Sequence, residues 1–131
     1  MTTTDMVIEL ENDAPGELAR VAHALSDAGV NIAAATALGA GQRAELHVLV
    51  HHPEAVHHAL AVVHSVSITR EREVVVVQVD DRPGELADLT GKIAAAGVNL
   101  DLVYVATKSR VVFGSDDLDG LRAALAGAQL S

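Results

Sequence analysis

The sequence predicts an α+β chain built from two small βαββαβ modules, the second lacking its last strand. Three observations lead there. Pro15-Gly16-Glu17-Leu18-Ala19 recurs as Pro83-Gly84-Glu85-Leu86-Ala87, and Ala28-Gly29-Val30-Asn31-Ile32 recurs as Ala96-Gly97-Val98-Asn99-Leu100, both 68 positions on (15 to 83, 31 to 99). Two separate pentapeptides held in one offset mark an internal duplication. Within each copy, short runs of Val, Ile and Leu alternate with stripes of helical spacing. Half of the 131 residues are apolar, yet Tyr104 and Phe113 are the only aromatics, so the core must be aliphatic, which suits thin layers of sheet and helix. The modules are expected at residues 1–70 and 73–131, each near the lower size limit for independent folding. Residues 70–72 form a linker too short for loosely strung beads.

Met6-Val7-Ile8-Glu9-Leu10 reads as a first strand, and Pro15-Gly16 ends the loop after it and opens a helix. Leu18, Val21, Ala22 and Leu25 follow the i, i+3, i+4, i+7 spacing of a buried stripe. Gly29 stops the helix at the left-handed position that glycine tolerates. Residues 30–37 form a second strand, Gly39-Ala40-Gly41 a flexible turn, and residues 44–50 a third strand in a hairpin with the second. A second helix is expected over about residues 53–63, with Pro53 in the first turn, where its missing N–H costs nothing. Val66-Ser67-Ile68 make a short fourth strand. Antiparallel pairing with both helices on one face gives a ferredoxin-like sandwich, the fourth strand lying at a sheet edge beside the first.

The second copy repeats this order. A strand is expected over residues 74–79, a helix over 84–96 with Leu86, Leu89 and Ile93 buried, strands over 98–106 and 110–114, and a helix over about 117–126. Matching Ala59-Leu60 to Ala124-Leu125 reduces the offset to 65, so the counterpart of the Val66 strand would begin only at Ser131. An unpaired strand carrying Val74-Val75-Val76-Val77 invites aggregation, so a strand from the neighbouring module or a second chain is expected to cover it.

Eighteen acidic against nine basic residues give a net charge of −9, which repels nucleic acid and anionic membranes. The absence of cysteine rules out disulfides, thiolate nucleophiles and cysteine metal sites. Met1-Thr2-Thr3-Thr4-Asp5 carries no basic-then-apolar leader, and no apolar run nears the roughly 20 residues of a membrane span. A cytoplasmic protein is expected.

The duplicated loops, Glu11-Asn12-Asp13-Ala14-Pro15-Gly16 and Val79-Asp80-Asp81-Arg82-Pro83-Gly84, place acidic or amide side chains just before a helix start. Backbone N–H groups and the helix dipole there form a site for an anion, and glycine allows close approach. The matched Gly-Val-Asn adds an amide with donors and acceptors. These parts suit a free amino acid: its carboxylate on the helix start, its ammonium on Asn12, Asp13, Asp80 or Asp81, and Asn31 or Asn99 bonding either group. The same residues also read as ordinary helix caps and turn chemistry.

Asp80-Asp81-Arg82-Pro83-Gly84-Glu85-Leu86 followed by Gly97-Val98-Asn99-Leu100 resembles the hallmark of ACT domains, the small regulatory modules of amino-acid metabolism. Glu11-Asn12-Asp13-Ala14-Pro15-Gly16-Glu17-Leu18 with Gly29-Val30-Asn31-Ile32 looks like the same motif, so the chain resembles free-standing tandem ACT proteins over nearly its whole length. The resemblance implies side-by-side sheet packing and binding of a small effector, usually an amino acid, at module interfaces. It carries ligand-binding roles to Asn12, Asp13, Gly16, Asn31, Asp81, Arg82, Gly84 and Asn99. Two departures stand out: Ala14 occupies the place of Arg82, and the last strand is missing. The working site is therefore expected near the second loop.

All seven histidines fall between His23 and His64. On one helix His57 and His64 would share a face with Glu54 a turn away, which admits a metal-binding alternative, although no HExxH spacing is present. No nucleophile elbow or phosphate loop appears, and no cofactor is implied. The expected function is non-catalytic regulation by an amino-acid effector in a homodimer, with no nucleic acid or membrane partner. The alternatives are a ligand-free interaction module and a histidine-based metal-binding regulator.

Overall fold

The computed structural model describes residues 3–12 and 14–131, which divide into two compact units, Met1–Arg72 and Glu73–Ser131. The elements in chain order are β1 (Thr3–Leu10), α1 (Glu17–Asp27), β2 (Ala34–Ala40), β3 (Arg43–Val50), α2 (Pro53–Leu60), β4 (Val66–Gln78), α3 (Glu85–Ala95), β5 (Leu102–Ala106), β6 (Arg110–Gly114), α4 (Leu118–Ala124) and β7 (Gln129–Leu130). The α+β class and the antiparallel sheets predicted from the sequence are those observed. The expected linker does not exist as a loop, because residues 70–72 lie inside β4 and the boundary between units falls within that strand.

In the first unit the strand order is β2-β3-β1-β4. β1 and β3 pair antiparallel from Thr4 opposite Val50 to Leu10 opposite Ala44, and β2 joins the far side of β3 from Ala34 opposite Leu49 to Ala40 opposite Arg43. Period-two alternation puts Met6, Ile8 and Leu10 of β1 and Leu46, Val48 and Val50 of β3 on one face. Against that face pack Val21 and Leu25 of α1 and Val56, Ala59 and Leu60 of α2, all buried. Both helices thus cover one side of the sheet. Helix α2 ends at Leu60, earlier than its apolar pattern suggests, and His64 lies beyond it.

The second unit repeats the plan with Val75 and Val77 of β4, Val111 and Phe113 of β6, Leu89 and Ile93 of α3, and Leu121 and Leu125 of α4. Phe113, one of the two aromatic residues, is completely buried there. Its last strand, expected to be missing, is present as a two-residue stub: β7 pairs antiparallel with β4, Val77 opposite Leu130 and Gln78 opposite Gln129. Ser131 N–H adds a 2.8 Å bond to the Val76 carbonyl. These residues occupy the edge at Val76, Val77 and Gln78. At these positions the cover comes from residues of the same unit.

Helices α1 and α3 end alike. Gly29 (φ 74°) and Gly97 (φ 73°) adopt the left-handed conformation anticipated for them. Val30 N–H bonds the Leu25 carbonyl at 3.0 Å and Gly29 N–H that of Ser26 at 2.9 Å; Val98 to Ile93 and Gly97 to Ala94 repeat the pattern at 3.2 and 3.0 Å. This is the Schellman arrangement, which satisfies carbonyls that the helix leaves free. It also turns the chain away before pairing resumes, so β2 and β5 begin at Ala34 and Leu102, four residues later than their apolar runs suggest.

Candidate functional site

Each duplicated loop ends in a glycine that is itself the helix N-cap, Gly16 at φ 91° and Gly84 at φ 93°. The acidic and amide residues expected to cap α1 and α3 therefore do not: Pro15-Gly16 and Pro83-Gly84 intervene, and a glycine cap brings no side chain to the first-turn N–H groups. By contrast, α4 is capped in the ordinary way, with Gly120 N–H donating to Asp117 Oδ1 at 2.9 Å. The loops are shaped for close approach to backbone rather than for side-chain capping.

Glu17 and Glu85, equivalent first-turn residues, are both tied to arginine, but from opposite directions. In the first unit Arg20, one turn on, donates to Glu17 and to the His64 carbonyl at 3.0 Å. In the second, Arg82 of the loop donates from Nε to Glu85 Oε1 at 3.0 Å. The position of Arg20 is held by Asp88 in the second copy, so the exchange of Ala14 for Arg82 is answered by an exchange of Asp88 for Arg20. Arg82 is well exposed and its ion pair is accordingly weak, on the order of 0–1 kcal/mol.

Beside the first loop lies a cavity of about 140 Å³ lined by Leu10, Gly16, Glu17, Leu18, Ala37 and Leu46, among others. Beside the second, a polar cavity of about 230 Å³ is lined by Gln78, Asp80, Glu85, Lys92 and Gln129. Of the sequence-proposed residues, Gly16 lines the first cavity. Asn12 and Asn31 are exposed outside its lining, and Asp13 lies outside the described residues. Asp81, Arg82, Gly84 and Asn99 are exposed on the second unit and do not line the polar cavity. Asn31 and Asn99 sit in the link before β2 and β5 rather than in the strands, and the Asn99 carbonyl accepts a 2.7 Å bond from Ser115 Oγ.

Leu18 and Leu86, read from the sequence as core stripe, are instead 47% and 45% exposed. Helical periodicity marks a face but not how far the sheet beneath it extends. Their matched exposure in the two copies, together with the cavity beneath Leu18, marks a place the sequence alone assigned to packing.

The histidines do not converge. With α2 ending at Leu60, His64 no longer shares a helical face with His57, whose Nε2 lies 2.8 Å from Glu71 Oε2. His47 lies between buried Asp5, at 3.0 Å from Oδ2, and Glu45, at 3.0 Å from Oε1. Among the described residues no group of three or more His, Asp or Glu side chains is placed to hold a metal ion. No helix among them is long and apolar enough to cross a membrane.

Comparison with solved structures places this fold in company. The chain matches protein BT0572 from Bacteroides thetaiotaomicron with a TM-score of 0.87 at 25% identity, covering 100% of this chain and 92% of that one. It matches the regulatory subunit of aspartate kinase from Thermus thermophilus, in its ligand-free form, with a TM-score of 0.68 at 19% identity, covering 94% and 90%. The corresponding subunit from Thermus flavus gives 0.66 at 18% identity, covering 95% and 91%. A search of curated proteins gave no significant match. The ACT domain family model matches residues 74–130, the stretch that carries the Asp-Arg-Pro-Gly loop, the Gly-Val-Asn element and the two-residue last strand. Over those residues the second unit is similar to an ACT domain.

Proposed function

We propose that the chain is a non-catalytic regulatory protein, a tandem of two ACT modules spanning residues 1–70 and 73–131, that binds an amino-acid effector and answers by changing its assembly or its hold on a partner. The observation that carries this reading is the duplication itself: the loop, glycine cap and Gly-Val-Asn element of the matched second unit stand again in the first, on the same βαββαβ plan. Likeness to aspartate kinase regulatory subunits over both units supports the fold of the tandem. Asn12, Asp13, Gly16, Asn31, Asp81, Arg82, Gly84 and Asn99 are the residues proposed to meet the effector, and a homodimer in the cytoplasm is the proposed working form. A thermal-shift screen of the twenty amino acids tests it, because a ligand that binds only the folded state raises the melting temperature. At least one should do so at millimolar concentration; no shift with any would contradict the reading.

A second reading, a ligand-free interaction module, is favoured by one observation. The outer strands of the two sheets carry exposed aliphatic side chains, Leu38 on β2 at 73% and Val105 on β5 at 69%. Strand edges of that kind are ready to pair with another chain. Dimerisation that is indifferent to every amino acid would favour it.

A further inference from the structure

The two copies differ most where their loops meet the adjoining hairpin. In the first unit the cavity of about 140 Å³ is walled by the aliphatic side chains of Leu10, Leu18, Ala37 and Leu46. Its one charged lining residue, Glu17, is already paired with Arg20. An apolar cavity of about 150 Å³ can hold a molecule as large as benzene, so a small branched hydrocarbon group fits this one.

The second unit repeats the frame with different residues. Val105 faces Val111 across β5 and β6 as Ala37 faces Leu46 across β2 and β3, which fixes the correspondence of positions. Ala37 has thus become the larger Val105, Ala14 has become Arg82, and Leu10 has become Gln78. The Gln78 amide reaches over to the hairpin turn, donating to the carbonyls of Lys108 at 2.6 Å and Ser109 at 3.3 Å. Lys108 and Ser109 are both held at positive φ, 61° and 54°, in a turn that brings those carbonyls within reach. The cavity described beside the second loop, lined in part by Gln129 of β7, is polar.

We infer that the first unit alone receives the side chain of the effector, and that this side chain is a branched aliphatic group of three or four carbons, as in valine, leucine or isoleucine. The inference rests on the effector-binding reading above and adds to it the ligand's chemical class and the inequality of the two copies. An apolar wall gains from burying methyl groups, and its one charged residue, Glu17, is already held by Arg20 rather than open to a ligand's charge. Selection against aspartate and lysine follows directly.

Calorimetric titration of the full chain with L-valine, L-leucine, L-isoleucine, L-phenylalanine, L-aspartate and L-lysine tests it. One aliphatic amino acid should bind per chain, about tenfold or more tighter than aspartate or lysine. Leu10→Gln with Ala37→Val installs the second unit's residues and should weaken that binding about tenfold or more, a size typical of one or two misplaced methylenes. Ala37→Val alone, at an exposed position, repeats the test should the double variant fail to fold, and Val105→Ala should leave binding unchanged. Two sites per chain, phenylalanine bound best, or binding unmoved by Ala37→Val in a folded protein would overturn the inference. A charged amino acid bound in preference to the aliphatic ones would overturn it while leaving effector binding intact. No heat from any amino acid would overturn both.

Discussion

Gly29 and Gly97 show how single residues fix this fold. Each lies at positive φ in open space, so no neighbour excludes a side chain; the backbone conformation alone demands glycine. Gly29→Val or Gly97→Val should each lower stability by about 1–2 kcal/mol, the usual penalty of the left-handed region for a residue with a Cβ, read in a chemical denaturation curve. Asp117→Ala should cost about 1 kcal/mol, because it removes the side-chain cap on Gly120 N–H. Asn31→Ala is different in kind: the residue is exposed, so the variant should melt with the wild type and lose affinity for the effector. Normal binding by it would remove Asn31 from the site. The two glycines were legible in the sequence because their chemistry is local. Leu18 and Leu86 were not, because whether a helical stripe is covered depends on how far the sheet reaches beneath it.

Among the elements, β7 matters beyond its length. Gln129 and Leu130 pair with the end of what would otherwise be an open valine-rich edge, and the Ser131 N–H extends the cover to Val76. Deleting residues 129–131 should speed amide exchange at Val76, Val77 and Gln78 and raise the tendency to aggregate, measured by hydrogen exchange and light scattering; unchanged exchange would show that the stub protects nothing. Order, type and pairing of the main strands and helices were readable from periodicity and from the repeat. The ends were not. The Schellman turns spend residues 30–33 and 98–101 on changing direction before β2 and β5 start, and apolar side chains in such links look like strand. A two-residue strand leaves no period to detect, and the charged run Arg70-Glu71-Arg72 resembles a linker unless β4 is known to continue through it.

For the molecule as a whole, the duplication supplied two frames and divergence gave them different contents. The first loop adjoins an aliphatic cavity, the second an arginine and a glutamine that occupy their own surroundings. The sequence favoured the second loop, where the motif is fuller; the side-chain site inferred above lies beside the first. If the homodimer forms, light scattering should give about twice the 13.6 kDa chain mass, and effector should shift the dimer population only by preferring one state. Equilibrium dialysis of the full chain against an equimolar mixture of the twenty amino acids tests the central claim most directly. Enrichment of at least one amino acid on the protein side, with valine, leucine or isoleucine foremost, is the predicted result; equal concentrations of all twenty on both sides would contradict it.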